Sequence, residues 1–481
     1  MYNMNLLRNN KTIGFLLMCC IFVSCKISEP VQNMPVLNLP KSYTGETDST
    51  NTAKIKWKDY FTDKNLVALI DTALSINFDL LSALQDIEIA RNDARFKKGM
   101  LFPTLNAGAG YSLEKVGRYT SQGAGDATAE IVPGQTVPEN LNDFNLGLQA
   151  SWEADVWGKL RNTKKAAYLR YLSSVEGKNF VITNLVAEIA NTYYELLSLD
   201  NELKYISEAI DLQKNALKTL QIQKETGAVN ELAVKQFEAE LFNSQSMEFD
   251  VRQQISETEN ILNLLLARYP QPVPRDTATE FVSRIPMIVK AGIPSQLLIN
   301  RPDIKKSELE LFASKCDVKA AKAEFYPSFN INGGVGFDAF KTNYLFTTPQ
   351  SFIYSIAGEL TAPLINRSAI KAQFNTANAL QLEAMYNYQK SILNGYVEVS
   401  NEISNISNLQ KTYDKKSKAV DALNNAISIS NILFQSGRAN YFEVLSAERE
   451  ALVTKLELIE TKKRQFNAVT NIYKKLGGGW N

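Results

Sequence analysis

Few residues in this chain of 481 could carry covalent chemistry. There is no histidine, which removes Ser-His-Asp and Cys-His nucleophile activation and HExxH zinc sites, because each needs an imidazole to move a proton or hold a metal. The four cysteines are Cys19, Cys20, Cys25 and Cys316, and the first three fall within seven residues. No disulfide framework fits that placement. Cys316 sits near Phe312, Ala313 and Val318 in a helical stretch and reads as a small packed hydrophobe. Gly108-x-Gly110 and Gly333-Gly334-x-Gly336 have the look of phosphate loops, yet each lies inside an alternating segment with no Gly-Lys-Ser/Thr after it. Glu448, Arg449 and Glu450 read as an ion-paired helix face. Eight methionines without a histidine give no concentrated site for copper or silver. The residues therefore point to no enzyme and no cofactor.

Lys+Arg 52 against Asp+Glu 51 leaves a net charge of +1, which argues against a nucleic-acid partner. With 45% hydrophobic and 21% charged residues, disordered and collagenous chains are also excluded. Arg8 and Lys11 precede an apolar run from Ile13 to Val23. That reads as a signal peptide over residues 1–24, since a membrane-spanning helix needs about 20 apolar residues. Ser24-Cys25 resembles a bacterial lipobox, in which Cys25 takes lipid and becomes the mature N-terminus; the alternative is an ordinary signal peptide with an incidental cysteine. Lys26 follows, not the aspartate that resembles an inner-membrane retention signal, so delivery to the outer membrane is expected. Elsewhere no 18 uninterrupted apolar residues occur, so the mature chain is expected to lack a transmembrane helix and any span would be a β-barrel.

The chain repeats itself. Asp79, Pro103 and Gly110 match Asp303, Pro327 and Gly334 at an offset of 224, and Gly227, Glu238 and Glu240 match Gly437, Glu448 and Glu450 at an offset of 210. Repeat one thus carries 14 extra residues. They fall in the polar stretch Leu113 to Asn142, which reads as an exposed loop. Ile189, Leu196, Leu203, Ile210 and Leu217 recur every seven residues, and adding 210 lands on Val399, Ile406, Tyr413, Val420 and Ile427. Both are coiled-coil seams. At 1.5 Å per residue the first helix would run roughly 100 Å, and Gly227 and Gly437 are the natural reversals.

Four segments carry a period of two instead. Leu105 to Tyr111, Phe144 to Trp152, Phe329 to Phe337 and Ser351 to Thr361 are expected strands, the length that crosses a tilted bilayer with one face in lipid. Four strands cannot close a barrel, which takes about eight. Closure would need several chains, and a trimer would supply twelve strands.

At these residues the sequence resembles the TolC-like outer membrane efflux proteins, in the OprM-like lipoprotein branch. Gly292-Ile-Pro-Ser295 with Leu297-Leu298 and Arg301-Pro302-Asp303-Ile304 resembles the family's opening of repeat two, with Asn300 where a first arginine usually stands. Trp152-Glu153-Ala-Asp155-Val-Trp157-Gly158 with Arg161 resembles its strand-to-helix junction, and Ala320 to Ser328 its helix-to-strand junction. The resemblance implies an α+β homotrimer: a twelve-stranded β-barrel, continuous with a long periplasmic α-helical barrel, and an equatorial belt. The implied division is a signal peptide 1–24; a lipidated segment 25–62; repeat one 63–269, with a hairpin at 103–157 and long helices over 158–269; a linker 270–299; repeat two 300–476, with a hairpin at 327–365 and long helices over 366–476; and a tail 477–481.

It also implies roles for single residues. The family's two gate aspartates map onto Glu443 and Ser446; Phe434 lies near its closing aromatic contact, and Arg438 one place off the basic position. Three copies of Glu443 would form an acidic ring favouring cations, whereas a solvated helix glutamate is the plainer reading. The turns holding Gly227, Val229, Gly437 and Ala439 resemble tips that abut a periplasmic adaptor (membrane fusion protein), although glycine alone would serve to reverse a helix. The implied function is a passive duct for small molecules, partnered by that adaptor, an inner-membrane transporter of the resistance-nodulation-division (RND) kind and outer membrane lipid. The alternatives are a duct for ATP-driven protein secretion and a poreless coiled-coil scaffold lipoprotein.

Overall fold

A computed structural model describes residues 39–43, 48–276, 281–284, 286–287, 289–365 and 367–480. The expected signal segment 1–24 and the expected lipidation site Cys25 lie outside the described residues. The main elements are α1 (Lys64–Ile76), α2 (Phe78–Gly99), β1 (Thr104–Glu114), α3 (Ser121–Asp126), β2 (Glu130–Val132), β3 (Gln135–Thr136), β4 (Leu141–Ala154), α4 (Lys159–Glu225), α5 (Glu231–Leu265), α6 (Pro302–Ala323), β5 (Ser328–Ala339), β6 (Phe352–Thr361), α7 (Ser368–Gln435) and α8 (Tyr441–Lys475). The duplication is carried into the elements: α4 and α7 have 67 and 68 residues, α5 and α8 35 each. The α+β chain divides into two compact units.

The first unit holds residues 92–169 and 311–384. Its sheet runs β1-β4-β5-β6, antiparallel throughout. Because paired residues share a face, the register Tyr111↔Phe144, Leu148↔Val335 and Val335↔Tyr354 places Leu105, Tyr111, Leu146, Leu148, Val335, Phe337, Tyr354 and Ile356 on one side. Asn106, Asp143, Asn145, Gln149, Asn332, Asp338 and Glu359 occupy the other. The apolar side is uncovered, with Tyr354 79% and Ile356 84% exposed. Aromatic pairs mark both ends of the sheet: Tyr111–Phe144 at 5.0 Å and Phe337–Phe352 at 5.8 Å at one, Trp157 stacked on Tyr326 at 4.9 Å at the other. Strands β4 and β5 join the two repeats at Gly147↔Gly336. A Cβ on Gly336 would lie 2.5 Å from the Leu146 carbonyl oxygen, so only glycine allows that approach.

Proline and glycine punctuate the changes of period. Pro103 and Pro327 fall between the end of a helix and the start of β1 or β5, where a fixed φ forbids further helix. On the return, Gly158 takes φ 76°, and Asp155 caps α4 by accepting from Leu160 N and Arg161 N, both at 2.9 Å.

The expectation of four strands with a plain loop over 113–142 needs correction. That stretch folds into α3 and the hairpin β2–β3, giving six strands among the described residues. Gly134 at φ 81° makes the hairpin turn, and Thr120 accepts from Gly123 N at 3.1 Å to cap α3. Glycine-rich polar sequence masks such local order because it carries no hydrophobic period.

The second unit, residues 37–91, 170–310 and 385–481, holds the main core. Tyr60, Leu66, Ile70, Ile189, Tyr193, Leu196, Leu262, Phe466 and Tyr473 are buried together, and Tyr60 stacks on Tyr473 at 4.0 Å. By length and composition alone, Lys64–Gly99 is apolar enough to cross a membrane. It is nevertheless interrupted at Asn77, whose side chain donates to Leu265 O at 2.9 Å and accepts from Leu80 N at 3.0 Å, and its Leu66, Leu69, Ile70 and Ala73 pack into protein. Residues 270–276 and 281–284 are held by ion pairs: Arg275 with Asp200 and Glu259, Arg284 with Asp63 at 3.0 Å.

Arg301 explains the Arg-Pro-Asp motif. Its buried guanidinium binds Asp303 at 2.7 Å and Glu398 at 2.8 Å, and donates to Lys475 O, at the end of α8, at 3.0 Å. Gly477 passes so close that a Cβ there would lie 2.5 Å from Asn300.

Two outcomes follow. Arg301→Ala strands two carboxylates that keep partial contact with water, and should cost about 2 kcal/mol or more, measured as a lower melting temperature of the helical circular-dichroism signal. Gly336→Val should prevent pairing of β4 with β5 and lower the melting temperature of the β-sheet circular-dichroism signal; an unchanged melting temperature would refute the close-approach argument.

Candidate functional site

Helices α4 and α7 end by the same device. Gly227 and Gly437 take φ 76° and 72°, a region that costs glycine nothing. Ala228 N donates to Gln223 O and Arg438 N to Leu433 O, both at 2.8 Å, while Gly227 N and Gly437 N donate to Lys224 O and Phe434 O at 2.9 and 3.0 Å. These paired bonds satisfy the last carbonyls of each helix. Asn230 then caps α5 by accepting from Ala233 N at 3.0 Å, and Asn440 caps α8 by accepting from Phe442 N at 2.9 Å.

The two turns come together. Gly227, Val229, Gly437 and Ala439 line one depression of about 650 Å³ with Phe434 and Tyr441. Beneath it Leu220, Val234 and Phe237 are buried, and Val229, Phe434, Tyr441 and Leu445 pack on them. Phe434 is therefore engaged in the chain's own core. Arg438, Glu443 and Ser446 do not join the depression and stand exposed; Glu443 lies in the first turn of α8, its N–H donating to Asn440 at 3.2 Å. Tyr441, Val234 and Phe237 belong to this cluster without having been singled out above. Their signal was the Val234, Phe237, Leu241 spacing on one helix face.

The tips differ in one respect. In repeat one Lys224 and Glu231 form an ion pair across the turn, and the lysine's hydrogen bond holds the Glu231 carboxyl below its ordinary range. At the offset of 210 these positions are Phe434 and Tyr441, two rings that pack on the buried cluster instead of pairing charges across the turn.

The ion-paired reading of Glu448 is also corrected. Glu448 follows Val444 by four residues and precedes Ala451 and Leu452, all buried on α8. Helical phase thus turns it inward, where one carboxylate oxygen has no hydrogen-bond partner and burial raises its titration above the usual carboxylate range. With the folded value raised, the stability of the neutral form is fully present at low pH and lost as pH rises through the folded value. Glu448→Gln should raise the melting temperature at about pH 8 and leave it nearly unchanged at about pH 4; a uniform shift at both would contradict the buried-acid reading.

No group of three acidic or cysteine side chains suited to a metal ion occurs among the described residues. The model of the family described as "Outer membrane efflux protein" matches residues 69–268 and 293–478. The protein named "Probable outer membrane lipoprotein SilC" of Salmonella typhimurium is 26% identical over 466 residues, covering 96% of this chain and 97% of its own. The solvent efflux pump outer membrane protein SrpC of Pseudomonas putida is 28% identical over 446 residues, covering 92% and 91%. Among solved structures, the Campylobacter jejuni CmeC outer membrane channel has the same fold, with a TM-score of 0.82 at 23% identity over 94% of each chain. With both repeats matched by the family model and the fold shared with an outer membrane channel, the chain belongs to the outer membrane efflux protein family.

Proposed function

We propose that three copies of this chain form the outer membrane duct of a tripartite efflux pump. The observation that carries this reading is the four-stranded sheet, with one uncovered apolar face and β1 and β6 unpaired on their outer edges. Hydrocarbon tolerates neither an open strand edge nor an unpaired backbone group. Pairing β6 of one copy with β1 of the next removes every edge, and three copies make twelve strands, enough for an open lumen. The apolar face then meets lipid and the polar face lines the lumen. The helices support the same closure: Val399 is fully buried, but Val420 and Ile427 of the same heptad row are only half-buried and Ile432 is 63% exposed, leaving seam for a neighbouring copy to cover.

In this reading the duct is passive, and the two glycine turns meet a periplasmic adaptor that joins an RND transporter. Cys25 carries the lipid anchor, a reading supported by a relative named as a lipoprotein. Cargo is the class of small molecule that the transporter delivers; one relative is named for solvents. Nothing observed favours protein secretion.

Three measurements test this. Protein extracted in mild detergent should run as a trimer with heat-modifiable mobility, and crosslinking in cells at the tips should recover an adaptor; a monomer without the heat shift would remove the barrel. Glu443→Gln should reduce cation preference and divalent block in planar bilayers by a few-fold. Unchanged selectivity would leave Glu443 a solvated surface acid.

A further inference from the structure

The 14 residues by which repeat one exceeds repeat two do more than lengthen a loop. They let residues 115–140 fold back on the end of their own sheet. Glu114 pairs with Leu141, continuing the face of Ser112↔Asp143 and Gly110↔Asn145, so both belong to the polar side. Both also line a depression of about 420 Å³ whose other walls are loop residues, among them Val116, Arg118, Asp126 and Val137. Leu141, the sole large apolar residue on the polar side of β4, is half-buried there. The loop therefore leans over the polar face.

It is also tied in place. Lys115 pairs with Glu139 at 3.1 Å, closing the base. Val137 N donates to Ala129 O at 3.0 Å, lengthening the β2–β3 hairpin, and Ala129 N donates to Gly125 O of α3 at 2.9 Å, joining the two. Gly123 is buried, and a Cβ on it would lie 2.2 Å from the Gly117 carbonyl oxygen, so α3 rests directly on the backbone leaving β1. The corresponding connection of repeat two, 340–351, contains only a short 3-10 turn.

We propose that residues 115–140 form a rigid cap over the outer mouth of the lumen, one per chain, which excludes large solutes outside the cell while passing small ones. This rests on the trimeric barrel reading above, in which the polar face lines the lumen. Acidic side chains outnumber basic ones in the cap and its base, with Glu114, Asp126, Glu130 and Glu139 against Lys115 and Arg118, so the mouth also disfavours large anions.

The test places a reporter on the polar face by Asn145→Cys in the full chain and labels intact cells from outside, with a small charged maleimide and with one carrying a polyethylene glycol chain. Two backgrounds are compared with the native loop: residues 116–139 replaced by Asn-Gly, and Gly123→Val, which keeps the length but unseats α3. Heat-modifiable mobility confirms a folded barrel in each. The small reagent should label all three alike, and the large one should label both altered loops at least about tenfold faster. Equal rates with the large reagent, while the small one still labels, would overturn the cap and leave the barrel standing. No labelling by the small reagent in any background would overturn the barrel reading and the cap with it.

Discussion

An unpaired strand edge is a liability that a small sheet cannot absorb internally, and most of this structure is arranged around that constraint. Strands β1 and β6 carry eleven and ten residues, long enough for their outer edges to demand partners. In the proposed barrel no helix or loop of the first unit is needed to cover the apolar face, because that face meets lipid. In the proposed trimer the edge strands take from neighbouring copies the hydrogen bonds they lack, and the α7 seam takes its burial from them in the same way. The chain's own contribution is a frame of fixed points: Asp155 caps the start of α4, Arg301 ties the start of α6 to the end of α8, and Arg275 and Arg284 clamp the chain after α5.

Much of that frame was legible in the sequence because it is written in periods. Alternation over Phe144 to Trp152 gives a two-faced strand with no further information, and the heptad of Ile189, Leu196 and Ile210 gives a seam whose residues are indeed buried. The glycines at 227 and 437 gave the turns, since a left-handed residue at a helix end admits little else. Three features were not legible. Glu448 looked like a surface charge because its neighbours in sequence are charged, and only helical phase shows that it faces inward. The folded loop after β1 is stabilised by backbone hydrogen bonds and glycine contacts, which leave no hydrophobic pattern to read. The convergence of the two tips is a tertiary fact, set by Phe434 and Tyr441 packing on Phe237.

Duplication supplies two copies of each device, and divergence between the copies shows which parts tolerate change. The turn glycines and the capping asparagines persist in both, because backbone geometry allows few substitutes. The residues flanking them do not: Lys224 and Glu231 became, or came from, an aromatic pair. An exposed ion pair contributes under about 1 kcal/mol and is screened by salt, whereas the aromatic pair shares in a buried cluster. The salt-sensitive contact therefore belongs to one tip and not to the other, although their backbones match.

The pairing of β4 with β5 through Gly147 and Gly336 bears on assembly kinetics. It joins the hairpins of the two repeats by an antiparallel contact of the kind that separate chains would have to make. Were the repeats separate polypeptides, six subunits would have to meet to close the same ring, with every contact at the mercy of dilution. Covalent linkage turns half of those contacts into unimolecular events at millimolar effective concentration. In the proposed trimer, ring closure thereby falls from a sixth-order to a third-order dependence on subunit concentration, a large advantage for chains that must find one another within a crowded membrane plane.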